Sequence, residues 1–310
     1  MASLYIYSGD QVMRIGLKLY GFDLERQNRV QYSTRVKNFK AFFGIHPLII
    51  AQLWEELQTT TVAEAQIVPT PQWAHFGLCT ITMFLHTFHF LKRYPTEIER
   101  EGSTGYCSVT LRKWCWFFVE KVRALKATLI VWPQDHEWGA TNFIISVDGV
   151  HCLYHEEKHP TMAINPELFD HKSHGPGLSY ELALDLWSSR LVWMAHHPVT
   201  KHNDRKNFCC PGGLRSKIPD GKKAIADNGY RGRGGDPKVA HPNSHDAPLL
   251  REFKARARMR QESFNQRIKR FACLTTARFA HNRERHVLCF EAVTVICCYE
   301  MMHLKPLFHV

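Results

Sequence analysis

Three acidic residues in the C-terminal half of the chain have the types and positions of metal ligands. Asp148 follows the apolar run 143–147, Asp227 follows the shorter run 224–226, and Glu262 lies 35 positions after Asp227. Magnesium and manganese ions take oxygen ligands, and phosphoryl transfer with two metal ions needs carboxylates that converge from different elements. The three acids therefore fit a metal-dependent phosphoryl-transfer site, but their spacing alone does not favour it, because acids at strand ends and on helices are common in proteins without one.

The positive charge of the chain is concentrated around the last two of these acids. The formal net charge of the whole chain is +11. Residues 201–286 contain 21 Lys and Arg against 8 Asp and Glu, a net +13, so the remaining residues sum to −2. A focused basic region is typical of a protein that binds a polyanion such as nucleic acid, and a solvated basic face without a partner is the alternative. Acids inside such a region would recruit metal ions while the basic side chains hold phosphates.

Two other sets of residues offer competing interpretations. The sequence HEEKH, from His155 to His159, matches the zinc-binding pattern H-E-x-x-H. It directly follows a strand-like run and is closed by Pro160, so no long helix carries both histidines on one face. Asp204, in the sequence KHND, is a further acid that is interpreted as a metal ligand, a DNA contact or an ordinary loop residue.

The N-terminal part of the chain has a helical pattern. We treat residues 1–33 as an extension and predict a helical domain over 34–130, where apolar residues recur with helical spacing. Within it, a turn of sequence Gly-Ser-Thr-Gly separates two helices, and Trp114, Phe118 and Leu125 of the second helix are predicted to face a core. This pair fits either a helix-turn-helix that enters a DNA groove or a hairpin that only packs.

From residue 140 to residue 310 the pattern predicts an α/β domain. The runs 143–147, 178–188, 190–197 and 224–226 are strand-like, and the second and third are joined by Ser188 and Ser189 as in an antiparallel hairpin. A long helix follows Pro248, with Phe264 and Ile268 in its apolar stripe and Glu262 on a polar face. A helix packed on a sheet would therefore position the three acids.

Cysteine spacing and hydropathy indicate the setting of the protein. Ten cysteines form no C-x-x-C pair, which favours a reduced, intracellular protein. The first ten residues carry no signal-peptide pattern. The most apolar stretch, 76–91, contains two histidines and is shorter than the roughly 20 residues that span a bilayer. We therefore expect a buried helix there and no membrane partner.

The sequence around the three acids resembles the DDE transposases of the PIF/Harbinger type. The matching stretches are SVDGVHC, KHND with IPDGKKAIADNGYRG, and RQESFNQRIKRFACL with RFAH. The stretches FLKRYPTE and TLRKWCWFFVEKV also look like the helical region of that family, so the resemblance covers roughly residues 91–310. It implies an RNase H-like mixed sheet flanked by helices, preceded by an all-helical domain with a helix-turn-helix.

By this resemblance Asp148, Asp227 and Glu262 match the metal-binding and catalytic triad of the family, which uses Mg²⁺ or Mn²⁺. The implied activity is cleavage of double-stranded DNA at terminal inverted repeats and joining of the element to a short target site. A location in the nucleus, a Myb-like accessory protein and a homo-oligomer are implied in the same way.

The resemblance also implies supporting residues. Lys269 would contact backbone phosphate, Asn265 would orient Glu262 or DNA, and Tyr230, in the Asp-x-Gly-Tyr element, would pack. Further basic residues expected at nucleic acid are Arg258, Arg260, Arg112 and Lys113.

Two positions depart from the family pattern. Gln261 stands where the family often has histidine, and Ala280 stands where arginine is usual. These departures are typical of a decaying copy with weak activity. The alternative function is a protein that keeps the fold and the basic surface but only binds DNA or chromatin without cutting it.

Overall fold

The structure is a computed structural model that describes residues 5–68, 79–134, 138, 140–154, 169–170, 175–197, 204–232, 234–276 and 279–310. The chain forms two compact units: Met1–Thr128 with Arg270–Cys273 and Val287–Leu304, and Leu129–Lys269 with Leu274–His286 and Lys305–Val310. This division differs from the predicted ranges 34–130 and 140–310, most clearly at the start of the chain and near its end. Helices already begin at Gly9, and the C-terminal stretch 287–304 returns to the first unit.

The first unit is built from helices whose starts are encoded locally. The side chains of Ser8 and Gln11 form a capping box, and Thr96 and Glu99 form another. These reciprocal bonds satisfy backbone N–H groups that have no partner inside the helix. The helices are α1 Gly9–Leu19, α2 Leu24–Asn28, α3 Tyr32–Phe43, α4 Pro47–Thr59, α5 Ile81–Arg93, α6 Glu97–Thr104, α7 Ser108–Ala124 and α8 Lys126–Leu129.

An aromatic core holds this unit together. The ring centroids of Trp54 and Phe84 lie 5.6 Å apart, and those of Phe84 and Phe118 lie 5.1 Å apart. Trp114, Phe118 and Leu125 are all buried, which confirms the predicted inward face of the second helix. Helix α5 begins within the apolar stretch 76–91 that we expected to be buried, and its residues 81, 83–88, 90 and 91 are buried. No helix among the described residues is long and apolar enough to cross a bilayer.

The strands of the second unit are β1 Phe143–Leu153, β2 Phe169–Asp170, β3 Gly175–Asp185, β4 Leu191–His197, β5 Lys223–Ile225 and β6 Val239–Ala240. They form a mixed sheet with the order β4-β3-β1-β5-β6, and β2 pairs with the start of β3. Strands β1, β3 and β4 are antiparallel neighbours, whereas β1, β5 and β6 run parallel to each other. The predicted hairpin of the second and third strand-like runs is confirmed as the pair β3 and β4.

Helices pack on this sheet and carry the polar residues of the site. The helices are α9 Asp204–Phe208, α10 Leu214–Lys217, α11 Pro248–Ile268 and the start of α12 Arg283–His303. Helix α11 contacts β1 and β5, and Ile144, Ile145, Ala224 and Phe208 belong to the buried core beside them. The strand pair that precedes two of the predicted metal ligands is therefore fixed by buried apolar side chains.

Candidate active site

Asp148 and Asp227 occupy equivalent positions relative to the paired part of two neighbouring parallel strands, β1 and β5. The last paired residues of β1 and β5 are Ser146 and Ile225, and each aspartate lies two residues beyond its strand's member of that pair. Strand β1 continues to Leu153 because β3 pairs with it over that length. Asp148 therefore lies inside a strand, where we predicted a strand end, but at the point where β5 stops following it.

Glu262 reaches the same place from helix α11. Asp148, Asp227 and Glu262 all line one open pocket with a volume of about 450 Å³, which we call the acidic pocket. Glu262 is exposed, and the two aspartates are half-buried. The remaining lining residues are Val147, Ile225, Pro242, Ala255, Arg258, Met259 and Gln261. The structure thus brings the three predicted acids together from two strands and one helix.

A chain of side-chain hydrogen bonds holds the carboxylate of Asp148. Its Oδ2 accepts a bond from Asn265 Nδ2 at 2.8 Å, and its Oδ1 accepts one from the backbone N–H of Gly149 at 2.9 Å. Gln261 Nε2 lies 3.4 Å from Asn265 Oδ1, and Gln261 Oε1 accepts a bond from Ser146 Oγ at 2.9 Å. Asn265 therefore supports Asp148, whereas the resemblance implied a role at Glu262 or DNA.

The carboxylate of Asp227 is held by the turn that follows it. Its Oδ1 accepts a hydrogen bond from Gly229 N at 2.8 Å and caps the 3₁₀ turn Asn228–Tyr230. Tyr230 is buried and packs edge-on against Phe208, with ring centroids 5.6 Å apart. Burial raises the pKa of Tyr230, and the carboxylates around it raise that pKa further. Tyr230 has the packing position that we predicted.

The carboxylate of Asp204 lies close to two glycines beside Asp148 and Asp227. A Cβ atom on Gly149 would lie 2.7 Å from Asp204 Oδ1, and one on Gly229 would lie 3.1 Å from Asp204 Oδ2. Gly149 directly follows Asp148, and Gly229 bonds Asp227. Asp204 is thus neither a distant loop residue nor a lining residue of the acidic pocket. In the sequence, only the glycines of Asp148-Gly149 and Asp227-Asn228-Gly229 indicate a close approach at this place.

Glu181 is a buried acid that the sequence interpretation missed. It pairs with Gly149 in the register of β1 and β3, and only 2% of its surface is exposed. Trp193 Nε1 donates a hydrogen bond to its Oε1 at 3.1 Å. Burial raises the pKa of Glu181 to about 8, so this side chain is mainly protonated at neutral pH. The only hint in the sequence is an acid inside the apolar run LSYELALDLWS.

The basic residues predicted on α11 have different environments. Arg258 is exposed and lines the acidic pocket, and Lys269 is exposed where α11 ends. Arg260 is buried, and its guanidinium donates to the backbone carbonyls of Asp185, at 2.6 Å, and Ser188. Arg260 therefore holds the turn between β3 and β4, and this structural role replaces its predicted contact with nucleic acid.

The two basic residues predicted on α7 lie in the first unit. Arg112 forms a two-point ion pair with Glu97, with both N–O distances at 2.7 Å, and Lys113 lies 6.0 Å from the ring centroid of Trp114. Both are exposed. The ion pair of Arg112 joins α7 to α6, so this residue contributes to the packing of the two helices.

The donor set of the acidic pocket fits a hard divalent cation. Its three acids supply only oxygen atoms, which Mg²⁺ and Mn²⁺ prefer, and no His or Cys is among the described residues that line it. The side chains do not converge on one point, since no three His, Cys, Asp or Glu residues in the described ranges are grouped closely enough to hold a metal ion. The alternative zinc sequence at 155–159 lies outside the described residues.

Comparison of the chain with protein-family models, with curated proteins and with solved structures finds no match.

Proposed function

We propose that the protein is a metal-dependent DNA endonuclease of the DDE type, which cuts and joins phosphodiester bonds as a transposase does. The observation that carries this proposal is the meeting of Asp148, Asp227 and Glu262 in one pocket. Carboxylates on two adjacent strands and a packed helix are what the resemblance to PIF/Harbinger transposases implies for an RNase H-like domain. The strand order and directions of the sheet support the same fold.

The chemistry needs a divalent cation, which Asp148, Asp227 and Glu262 would hold. Bound Mg²⁺ or Mn²⁺ supplies charge neutralisation at the phosphodiester and lowers the pKa of attacking water or a 3′-hydroxyl. The protein's own contribution is to hold the carboxylates of Asp148 and Asp227 by hydrogen bonds. Asn265 and Gly149 N bond the two oxygens of Asp148, and Gly229 N bonds one oxygen of Asp227. Ligands held in this way lose less freedom when the ion binds.

The partner in this proposal is double-stranded DNA, and the corresponding location is the nucleus. Arg258 at the acidic pocket and the net +13 of residues 201–286 support a polyanionic substrate. A transposase would cut at terminal inverted repeats. The further proposed partners are a Myb-like accessory protein and a second copy of the chain.

Nicking of a supercoiled plasmid by purified protein with Mn²⁺ or Mg²⁺ tests the proposal. We expect nicking by the wild type and its loss in Asp148→Asn, Asp227→Asn and Glu262→Gln, because each substitution removes a ligand charge. Glu252→Gln is the matched control for Glu262→Gln, since Glu252 is an exposed acid on α11 that is not among the residues lining the acidic pocket.

The plasmid experiment also separates cleavage from binding alone. Folded protein that binds DNA but does not nick it, even with cognate DNA ends and an accessory protein present, would favour the silent DNA-binding protein. Nicking that survives in all three triad variants would refute the assignment of the site.

A further inference from the structure

A second pocket adjoins the acidic pocket and has the opposite character. Its volume is about 520 Å³, and its polar lining residues are Arg205, Asn228, Arg231, His241, Asn243 and Ser244. We call it the basic pocket. Pro242 lines both pockets, and Asn228 directly follows Asp227. Among the described residues that line the basic pocket there is no carboxylate.

Arg205 is fixed in the basic pocket by backbone contacts. Its Nη1 donates a hydrogen bond to the carbonyl oxygen of Arg231 at 2.6 Å. Gly232 has a φ of +65°, and a Cβ atom there would lie 2.4 Å from Arg205 Nε. Glycine is therefore required at 232 by its backbone conformation and also by the space that the guanidinium occupies.

The carboxylate of Asp236 is shared between Arg205 and a second arginine. Asp236 Oδ2 lies 3.9 Å from Arg205 Nη1 but accepts a hydrogen bond from Arg215 Nε at 2.8 Å. One carboxylate thus faces two guanidinium groups, while Arg231 adds a third positive charge on the exposed side. The described residues that line the basic pocket thus contribute two arginines and no carboxylate, next to the three acids of the acidic pocket.

The loop that contains His241, Asn243 and Ser244 contributes neutral polar groups to the basic pocket. Asn243 Oδ1 accepts a hydrogen bond from His245 N at 3.1 Å, and Asp246 Oδ2 accepts one from Asn243 N at 2.8 Å. Burial lowers the pKa of His241, and the charge of Arg231 lowers it further, so His241 is mainly neutral at neutral pH. Two arginines together with neutral polar groups in one pocket can donate hydrogen bonds to the oxygens of a phosphate.

We propose that the basic pocket binds a backbone phosphate of the DNA strand beside the bond that is cut in the acidic pocket. This inference rests on the proposed endonuclease function and adds a position for the strand. Without metal ions, three carboxylates in the acidic pocket repel a polyanion, so affinity has to come from cations beside it. DNA is the anion chosen because its phosphates repeat along a strand and one ligand then occupies both pockets.

The test is the salt dependence of binding to a short fluorescent DNA duplex. Arg231→Gln keeps the backbone carbonyl that bonds Arg205, and Arg205→Gln removes the second guanidinium. Log K falls as log salt concentration rises. In each variant this fall should be less steep, with a slope smaller in magnitude by about 0.9, the value for one phosphate contact in B-DNA. Arg190→Gln is the charge-matched control, because Arg190 is an exposed residue at the turn between β3 and β4 and does not line the basic pocket.

The possible results separate this inference from the proposed function. A wild-type slope in both Arg231→Gln and Arg205→Gln would overturn the phosphate site, whether or not the wild type nicks plasmid. Reduced slopes in both variants with no nicking by the wild type would support the phosphate site and reject the nuclease. If inorganic phosphate stabilises the wild type but not the variants against heat, and DNA slopes are equal, the pocket binds free anion and the DNA assignment is wrong.

Discussion

The side-chain amide of Asn265 donates a 2.8 Å hydrogen bond to Oδ2 of Asp148, across 117 positions of sequence. It fixes the orientation of one predicted metal ligand from the helix that carries another. Removal of such supporting bonds typically costs about 10- to 100-fold in metal affinity or activity.

Asn265→Ala should therefore reduce metal-dependent nicking by about 10- to 100-fold while the protein stays folded. The comparison is Gln266→Ala, because Gln266 is exposed next to it on the same helix. Titration of activity with Mn²⁺ checks the reason: the Asn265 variant should need more metal for half-maximal rate. Equal metal dependence in both variants would argue against a role for Asn265 at Asp148.

Gly149→Ala tests the close approach of Asp204 to the site. The new Cβ would lie 2.7 Å from Asp204 Oδ1, which forces either Asp204 or the backbone next to Asp148 to move. A displacement of about 1 Å at a catalytic group can cost roughly 100-fold in rate. We expect a loss of this order in plasmid nicking by Gly149→Ala.

Gly102→Ala is the control for this substitution, since a Cβ there meets no atom within 4 Å. The double variant Gly149→Ala with Asp204→Ala should recover part of the lost activity, because it removes the side chain that the new methyl group meets. If the single variant at Gly149 is fully active, the packing of Asp204 against this backbone has no functional importance.

Arg258 and Arg260 should behave oppositely although they are two positions apart. Arg260→Ala removes a buried guanidinium that bonds two backbone carbonyls, and each such bond to a charged group is worth about 1.5–3 kcal/mol of stability. Arg258→Ala removes an exposed side chain, with an expected stability change within about 0.5 kcal/mol. Chemical denaturation and DNA binding together check this: only Arg260→Ala should lose stability, and only Arg258→Ala should weaken DNA binding without unfolding.

The sheet and the three acids were predictable because their signals are local. Asp148 and Asp227 each follow an apolar run, and parallel strands of that kind end at the same edge of a sheet. The pattern also predicts the hairpin of β3 and β4. The sequence did not predict that β1 continues past Asp148, because that extension depends on its long pairing with β3.

The burial of Arg260 was also encoded in the helical periodicity, but a charged side chain at that position suggested an exposed residue. Arg260, Phe264 and Ile268 are spaced by four and are all buried, so helical periodicity places the arginine in the apolar stripe. Asp204 and Glu181 are different cases. Their importance arises from tertiary packing against Gly149, and nothing near them in the sequence specifies that contact.

Metal binding should stabilise the wild type against heat. Ligand that binds only the folded state adds RT ln(1 + [L]/Kd), about 2.7 kcal/mol at a hundredfold excess over Kd. Mn²⁺ should therefore raise the melting temperature of the wild type but not that of Asp148→Asn. Asp220→Asn is the control, because the Asp220 side chain is fully exposed and does not line the acidic pocket. Equal shifts in the wild type and Asp148→Asn would contradict a metal site at Asp148.

Because the pKa of Glu181 is raised in the folded protein, the second unit should become less stable as the pH rises. Burial is the main cause that raises the pKa of Glu181 to about 8. The hydrogen bond from Trp193 lowers this pKa, and the nearby charge of Asp204 raises it. The pKa of an unfolded glutamate is about 4.3. Between these two values the folded protein binds more protons than the unfolded chain, so the free energy of unfolding falls with rising pH by at most about 1.4 kcal/mol per pH unit.

Glu181→Gln keeps an oxygen acceptor for Trp193 and cannot ionise. Its melting temperature should therefore fall less steeply than that of the wild type between about pH 5 and 8, and the variant should be the more stable protein at the upper end. Glu252→Gln, at an exposed position of α11, should follow the wild-type curve. Parallel curves for Glu181→Gln and the wild type would mean that Glu181 is ionised in the folded protein, and that the sheet beside Gly149 accommodates its charge.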